Sequence, residues 1–234
     1  MISQKSGKSK KPRQRNRRGE GELLRAELLE AAMRLLEKLS PGTQFSLRAV
    51  AKEAKIAPPS VYIHFKDKDA LLLAVVQELL AEQIALRHAA EEEAAKAGGG
   101  AWDRLLARSL AYVKFGLERR GHYKLLFEGQ VIPRMSNPGL AYSQALLSRT
   151  TELIQIILGR GDSKHEVQAS EKLGLLLWSC LHGIVSLQIN KPTFIWPDAL
   201  ELVAQIQKSL LTANTPASVS APGAGALSPP PASR

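Results

Sequence analysis

Two adjacent prolines, Pro58 and Pro59, constrain the fold more than any other feature of this 234-residue chain. Proline lacks an amide hydrogen and breaks a helix from within, but the first turn tolerates it because the amides there have no intrahelical acceptor. Apolar residues recur at helical spacing within 47–54, and Val61 and Phe65 follow the prolines four positions apart. The pattern predicts a short helix, a tight turn and a second helix that begins at the prolines, which is a helix-turn-helix.

The predicted helix pair needs further packing, because isolated helices of two turns are marginal in water. A third helix at 22–39 carries an apolar stripe, and Phe45, Leu71 and Leu72 are further candidates for the same core. The hydroxyl of Ser46 is placed to cap the first helix of the pair. Three helices around a small core are a common DNA-binding arrangement, in which the second helix of the motif lies in the major groove.

Helical periodicity continues through the rest of the chain, and sustained alternation of apolar and polar residues does not occur. Three consecutive glycines at 98–100 mark a break between helices. The expected fold class is therefore all-α. Further helices are predicted at 71–97, 102–119, 140–158, 166–190 and 197–211.

The charge of the chain is concentrated at its beginning. The formal net charge is +10, and residues 1–18 contain eight basic residues and no acidic one. Such a block is disordered when free and attaches to polyanions, with a simple solubilising tail as the alternative. At the other end, 213–234 holds five of the thirteen prolines and one charged residue, Arg234, so a second disordered tail is predicted there.

The residues that follow the prolines resemble a known family. From Ser60 to Leu71 the pattern S-V-Y-x-H-F-x-x-K-x-x-L, within the segment 22–72, looks like the DNA-binding domain of TetR-type transcriptional regulators. The resemblance implies a homodimer that binds a near-palindromic operator in double-stranded DNA, and a helical C-terminal domain that senses a small-molecule effector; a repressor is expected. The implied organisation is a basic tail at 1–20, a helix-turn-helix DNA-binding domain at 21–66, a regulatory and dimerisation domain at 67–212, and a tail at 213–234.

The resemblance also implies which residues contact DNA. Tyr62 and His64 offer hydrogen-bond donors to phosphate oxygens. Lys68 lies in the first turn of a helix, where a nearby phosphate would offset the unfavourable macrodipole, and Arg48 is able to reach a guanine or a phosphate. The alternative is that Tyr62 only packs and Lys68 is only solvated. The predicted DNA-binding residues are Ser46, Arg48, Pro58, Pro59, Ser60, Tyr62, His64 and Lys68.

Two places depart from the family pattern. Lys55 stands where the family generally has glycine, so a residue with a Cβ must take the turn conformation. The two prolines stand where a basic or polar residue is frequent. Because prolines cannot donate hydrogen bonds, base reading there is expected to be apolar, for example against a thymine methyl. The remaining direct reading of bases falls to Arg48, Ser60 and Ile63.

The predicted helix 166–190 carries an apolar face and, beside it, a stripe of small residues. An apolar face with few charges favours a partner helix, and with the last helix it predicts half of a four-helix dimer interface. Burial inside the monomer is the alternative. The segment 175–183, LLLWSCLHG, also resembles a family subgroup marked by Trp, His and Gly. The apolar face consists of Trp178, His182, Val185 and Ile189, and the small stripe of Ser179, Gly183 and Ser186.

A ligand pocket is expected among the helices between 102 and 158, because aromatic residues recur there at helical spacing. Ordinary core packing of the same residues is the alternative. The candidate pocket residues are Tyr112, Phe115, Tyr123, Phe127, Tyr142, Trp178 and His182.

Other classes of function find little support in the sequence. The five histidines lack metal-ligand spacing, and neither a phosphate-binding loop nor a nucleophile motif occurs, so an enzyme, a metal site and a cofactor are not predicted. The single Cys180 is expected to be a core thiol. The basic start is not followed by an apolar segment and the apolar run 173–187 is too short to span a bilayer, so a cytoplasmic protein without a membrane partner is expected. An architectural nucleic-acid-binding protein without ligand control and a membrane-surface protein are the alternatives.

Overall fold

The computed structural model describes residues 21–38, 45–127 and 138–215, and the side chains of all of these except 138–146. The basic segment 1–18 and most of the predicted C-terminal tail lie outside the described residues. Within the described part the regular structure consists of nine α-helices without strands, so the predicted all-α fold is confirmed. The helices are α1 (Gly21–Lys38), α2 (Leu47–Ala54), α3 (Pro58–His64), α4 (Lys68–Lys96), α5 (Ala101–Glu118), α6 (Arg120–Phe127), α7 (Pro138–Leu158), α8 (Lys164–Asn190) and α9 (Ala199–Thr212).

The chain forms two compact units that divide between Val75 and Val76. The first unit contains α1, α2, α3 and the beginning of α4, and the second contains the rest of α4 and α5 to α9. Gly98, with a φ of 83°, lies in the turn between α4 and α5, in the predicted glycine break. The helix α4 therefore begins in one unit and ends in the other.

The first unit has a small apolar core to which every one of its helices contributes. Leu28 of α1, Val50 of α2, Val61 of α3 and Leu71 of α4 are all fully buried. Burying one such side chain stabilises a fold by about 1.5–3 kcal/mol, which short helices of seven and eight residues need. On the surface, Glu53 of α2 lies 3.5 Å from both Arg34 and Lys38 of α1, but exposed ion pairs of this kind contribute little.

The second unit is built around a larger core, to which α5 to α9 all contribute. A close approach between helices occurs at Gly116 of α5. A Cβ on Gly116 would lie 2.5 Å from Val185 of α8 and 2.9 Å from Tyr123 of α6. Glycine is therefore required at this crossing, because any side chain would push α8 or α6 away.

Besides boundary shifts of one to three residues at other helices, the helix assignments from sequence differ from the structure at two points. The helix α6 was not predicted; it follows α5 directly, since Arg119 alone leaves helical geometry (φ −121°, ψ 61°). The last helix begins at Ala199 instead of Pro197, because the side chain of Asp198 accepts hydrogen bonds from the amides of Leu200 (2.8 Å) and Glu201 (3.0 Å). Asp198 is thus the N-cap, and the proline lies outside the helix.

Candidate nucleic-acid interface and buried aromatic cluster

The turn between α2 and α3 is formed by local hydrogen bonds. The Ser46 hydroxyl accepts the amide of Ala49 at 3.1 Å and caps the start of α2, as predicted. At the end of α2, Lys55 has φ 58° and ψ 40°, the left-handed conformation that favours glycine. The amide of Lys55 donates to the carbonyl of Lys52 (3.1 Å) and the amide of Ile56 to that of Ala51 (2.9 Å). Lys55 therefore takes the turn conformation that the sequence required of it.

The helix α3 begins at the two prolines, which occupy its first two positions. The first amide available in the helix is that of Ser60, and it donates to the carbonyl of Ala57 at 3.0 Å. Val61 is fully buried and Phe65 nearly so, with the guanidinium of Arg25 5.3 Å from the centre of the Phe65 ring. The prolines thus start a helix, and its two apolar anchors hold it against the first unit.

The opposite side of α3 is open to solvent. Tyr62 is 54% exposed and Ile63 is 79% exposed, and both prolines are exposed as well. His64 is half-buried, because its ring lies near Gly21 at the start of α1. Of the two residues predicted to donate to phosphates, Tyr62 is therefore exposed and His64 only partly so.

Two cations belong to the same unit. Arg48 projects from α2 into solvent, and Lys68, also exposed, is the first residue of α4. Asp67 caps that helix by accepting the amide of Ala70 at 2.7 Å. All eight predicted DNA-binding residues thus lie in the first unit: Arg48, Pro58, Pro59, Tyr62 and Lys68 are exposed, and Ser46, Ser60 and His64 are half-buried.

Five of the predicted pocket residues form one group in the second unit, which we call the aromatic cluster: Tyr112, Tyr123, Phe127, Trp178 and His182. Neighbouring rings have centres 4.9–6.4 Å apart, a spacing typical of packed aromatic pairs. The cluster joins α5, α6 and α8, although its members are up to 70 positions apart in sequence.

Polar atoms converge inside the aromatic cluster. The Tyr123 hydroxyl lies 2.6 Å from Nδ1 of His182 and 3.2 Å from the His182 carbonyl oxygen, and the Tyr112 hydroxyl lies 3.3 Å from the same Nδ1. Burial, followed by the neighbouring Tyr123 hydroxyl, raises the pKa of Tyr112 well above its usual value. Tyr112 therefore remains a neutral hydroxyl at any physiological pH, and the cluster is a polar patch enclosed by rings.

The other two predicted pocket residues are Phe115 and Tyr142. Phe115 is buried on α5 and lies 5.5 Å from the guanidinium of Arg119, whose other contact is Glu82 at 2.6 Å. The side chain of Tyr142 lies outside the described residues.

Comparison with known families identifies both parts of the chain. Residues 28–75 match the family described as bacterial regulatory proteins of the tetR family, and residues 105–209 match the tetracyclin repressor-like C-terminal domain. The chain belongs to the TetR family of transcriptional regulators. The subgroup resemblance of residues 175–183 stays a prediction.

Solved structures share the fold of this TetR-family regulator. A protein of unknown function from Rhodococcus sp. RHA1 is 26% identical, with a TM-score of 0.66 over 81% of this chain and 94% of that one. A TetR-family transcriptional regulator from Streptomyces coelicolor is 20% identical, with a TM-score of 0.62 over 83% of this chain and 82% of that one. A TetR-like regulator from Rhodococcus sp. RHA1 is 18% identical, with a TM-score of 0.58 over 86% of this chain and 98% of that one.

The regulator also contains buried charges that the sequence did not reveal, which we call the Glu91 cluster. The carboxylate of Glu91 accepts hydrogen bonds from Arg104 (2.6 Å), Arg108 (2.8 Å) and Arg149 (3.0 Å). Burial by itself would raise the pKa of Glu91, but the hydrogen bonds from Arg149 and Arg104 and the charge of Arg108 outweigh it and lower the pKa to about 2. Glu91 is therefore ionised at neutral pH.

A second buried polar group of the regulator lies on the same face of α4. Gln83 is fully buried, and among the described residues neither its amide oxygen nor its amide nitrogen has a hydrogen-bond partner. One turn further on, the guanidinium of Arg87 lies 5.8 Å from the centre of the Tyr112 ring. In the sequence, the row Val75, Leu79, Gln83, Arg87 and Glu91 changes from apolar to polar at four-residue spacing, but the pattern does not show that the polar end of the row is buried.

The helix α8 of the regulator exposes one apolar face, the α8 outer face. A Cβ on Gly183 would meet no atom within 4 Å. The predicted interface is corrected here: Val185 and Ile189 are buried in the core of the second unit and Trp178 packs against it, so the exposed face is the small-residue stripe with its flanking leucines. Cys180 is exposed and is not a core thiol. The α8 outer face consists of Leu175, Leu176, Ser179, Cys180, Gly183 and Leu187.

The length and composition of α8 bear on the expectation that no segment of the chain spans a membrane. By length and apolar composition, α8 is the one helix of the described part long and apolar enough to cross a membrane, and 39% of its most apolar window is buried inside the protein. The helix is longer than the apolar run from which the sequence expectation was drawn.

Among the described residues, groups of three or more His, Cys, Asp or Glu that could hold a metal ion do not occur.

Proposed function

We propose that the protein is a homodimeric repressor in the cytoplasm that binds a near-palindromic operator and is released by a small-molecule effector. The observation that carries this proposal is the division of α3 into a buried side, with Val61 and Phe65, and an exposed side that presents Tyr62. A helix anchored in this way offers its outer side chains to a groove of DNA without unfolding.

The proposed phosphate contacts come from three elements of the first unit. Tyr62 on α3 and Lys68 at the start of α4 donate to phosphate oxygens, and Arg48 on α2 reaches either a phosphate or a guanine. His64 contributes through the accessible part of its ring. The basic segment 5–18 supplements these contacts in a minor groove or along the phosphates.

The proposed dimer uses the α8 outer face together with α9. Leu176 and Leu187 are 53% and 48% exposed, and Leu200 of α9 is 46% exposed. Small residues between the leucines let a partner helix approach closely, and a two-fold axis pairs this face with its own copy. Two half-sites of an operator require such a symmetric dimer.

The effector is proposed to bind at the aromatic cluster and Gln83. A buried amide without partners costs about 1–3 kcal/mol for each unsatisfied group, so a ligand with a donor and an acceptor would recover that energy. The rings of Tyr112 and Trp178 supply apolar contact around it. Polar groups enclosed by aromatic side chains are typical of small-molecule sites.

The central test is selection of operators from a random duplex library with the purified full chain. A near-palindromic consensus is expected. A Leu176→Arg variant should sediment as a monomer and lose most of its operator affinity, whereas Ile156→Arg, on α7 and 62% exposed, should remain a dimer. Binding without sequence preference would favour the architectural alternative.

Release is tested with metabolites handled by the products of neighbouring genes. A compound that dissociates the selected operator should do so less effectively for Gln83→Leu, whereas Gln77→Leu, exposed on the same helix, should respond as the parent does.

Deletion of residues 1–18 should lower operator affinity and reduce its dependence on salt. An unchanged affinity and salt slope would exclude a role for the basic segment.

A further inference from the structure

We propose that Pro59 and Ile63 form a methyl-reading ridge on α3, which recognises the 5-methyl group of a pyrimidine in the major groove and accepts 5-methylcytosine where it accepts thymine. This inference rests on the proposed binding of α3 to operator DNA. It adds to that function a base preference and a sensitivity to cytosine methylation.

The geometry of α3 defines the ridge. Pro59 and Ile63 are four residues apart, so their side chains are neighbours on one face of the helix. Ile63 is 79% exposed and Pro59 is exposed, whereas the buried anchor Val61 lies on the other side. An isoleucine with most of its surface in water contributes little to the core, so its apolar surface is available to a partner.

The charges around the ridge identify the partner as a polyanion. Exposed cations occur on both sides of α3 in the sequence, on α2, in the turns and at the start of α4. The acidic residues on the same elements are Glu53 of α2, which pairs with Arg34 and Lys38 of α1, and Asp67 and Asp69 at the start of α4. Asp67 accepts the capping hydrogen bond and lies 3.9 Å from Lys66. An apolar protein surface would gain nothing from such cations, whereas a DNA backbone would. The exposed cations are Arg48, Lys52, Lys55, Lys66 and Lys68.

The chemistry of the ridge limits what it can read. Neither proline nor isoleucine has a side-chain donor or acceptor, and Pro59 has no amide hydrogen either. Among the groups that base pairs present in the major groove, the 5-methyl of thymine is the one apolar group. The ridge therefore discriminates by contact with that methyl and not by hydrogen bonds.

The same limitation predicts tolerance of 5-methylcytosine. Thymine and cytosine differ in the major groove by the methyl group and by an acceptor oxygen in place of a donor amino group. A surface without hydrogen-bonding groups does not sense the second difference. Methylation of a cytosine at the contacted position should therefore restore the binding that a change from T·A to C·G removes.

The test uses the full chain and the operator selected from the random library. Versions of each conserved T·A pair are compared by fluorescence anisotropy: thymine, deoxyuridine, cytosine and 5-methylcytosine, the latter two paired with guanine. Removing one contacted methyl should weaken binding about fourfold, and about fifteenfold when both half-sites are changed. The 5-methylcytosine operator should regain the affinity that the cytosine operator loses.

Variants assign the effect to the ridge. Ile63→Ala should bind the thymine and deoxyuridine operators with nearly equal affinity, and Pro59→Ala should reduce the difference. Leu23→Ala, which truncates an exposed apolar residue on α1, should keep the full deoxyuridine penalty. Because Ile63 and Leu23 are both exposed, the variants are expected to fold like the parent.

Three outcomes would overturn the inference while leaving operator binding intact. Unchanged affinity for operators with deoxyuridine at every conserved position would exclude the methyl contact. If both ridge variants keep the full loss of affinity for the deoxyuridine operator, another residue contacts the methyl group. If 5-methylcytosine does not restore binding, the protein reads this base pair through hydrogen bonds. Absence of any preferred operator would instead contradict the proposed function itself.

Discussion

The two units of this protein distribute their polar residues in opposite ways. In the first unit the core is apolar and the hydrogen-bonding and charged side chains, such as Arg48 and Tyr62, lie at the surface. In the second unit, polar and charged groups such as Gln83 and Glu91 are buried together with tyrosine hydroxyls. Accessible charge suits contact with a polyanion, whereas polar groups enclosed by helices must find their partners within the protein or in a bound molecule.

The difference also concerns how far along the chain each site is assembled. In the first unit, the cap at Ser46, the turn at Lys55 and the start of α3 are determined by residues a few positions away. In the second unit, Glu91 meets Arg149 across 58 positions and Tyr112 meets His182 across 70. The first site is thus encoded locally, and the second depends on the packing of several helices.

The largest expected effect is in the Glu91 cluster, where Glu91→Gln should lower the free energy of unfolding by about 3–5 kcal/mol. The substitution keeps the shape of the side chain but leaves the guanidinium of Arg108, which is 2% exposed, without its buried counter-charge. Urea denaturation followed by circular dichroism measures the loss.

A matched control is Glu93→Gln on the same helix. Glu93 is exposed and pairs with Lys96 at 3.1 Å, so its loss should change stability by less than about 0.5 kcal/mol. Equal effects of the two substitutions would mean that the buried charges of the second unit behave like surface charges.

Acid should weaken the second unit through the same carboxylate. The pKa of Glu91 is about 2 in the folded protein and 4.5 when unperturbed, so its contribution is complete above pH 4.5 and is lost as the pH falls through 2. The full contribution is about 3 kcal/mol. Unfolding measured between pH 6 and pH 2 should show this decline in the parent and a shallower one in Glu91→Gln; parallel curves would refute the assignment.

In the first unit, Tyr62→Phe and Pro59→Gly should separate phosphate contact from base reading. Loss of the Tyr62 hydroxyl should weaken binding to all sequences alike, by about 1 kcal/mol or fivefold per half-site. Pro59→Gly should change which sequence is preferred. Selection from a random operator library, repeated with each variant, makes the distinction, and identical behaviour of the two variants would show that α3 does not divide its contacts in this way.

The smallest effect is expected at Lys55, where Lys55→Gly should stabilise the protein by about 0.5–1 kcal/mol. Glycine accepts the positive φ of 58° without the contact that a Cβ makes. Lys52→Gly, inside α2, should instead destabilise by about 1 kcal/mol. Thermal denaturation of both variants provides the test, and a loss of stability in both would show that the turn imposes no strain on Lys55.

The helical architecture and the turn chemistry were accessible from the sequence because they depend on nearby residues. Pro58 could be read as a helix start, Ser46 as a cap and Lys55 as a strained turn residue, and each has that structure. The start of α9 lies two residues after the predicted one, because the Asp198 side chain caps the helix and Pro197 therefore lies outside it. The short helix α6 was missed because a single non-helical residue, Arg119, separates it from α5, and the sequence pattern does not show so short an interruption.

The second unit was less predictable for a different physical reason. Helical spacing shows which residues share a face but not which face is turned inward. Val185 was therefore predicted at the dimer interface and is buried in the core, and Cys180 was predicted in the core and is exposed. Buried charge is also invisible to a hydrophobic pattern, since Glu91 and Arg108 look like solvated residues until their partners are known. The members of the aromatic cluster could be named from the sequence, but the sequence did not show that the tyrosine hydroxyls meet at Nδ1 of His182.

The position of Trp178 makes the second unit optically observable. Its ring lies half-buried with its centre 5.9 Å from that of His182, while the other two tryptophans, Trp102 and Trp196, are not among the rings of the aromatic cluster. Indole emission depends on the polarity and protonation of its surroundings, so the intrinsic fluorescence of Trp178 should register any molecule that enters the cluster. The protein therefore carries its own unlabelled reporter with which binding at the proposed effector site can be measured.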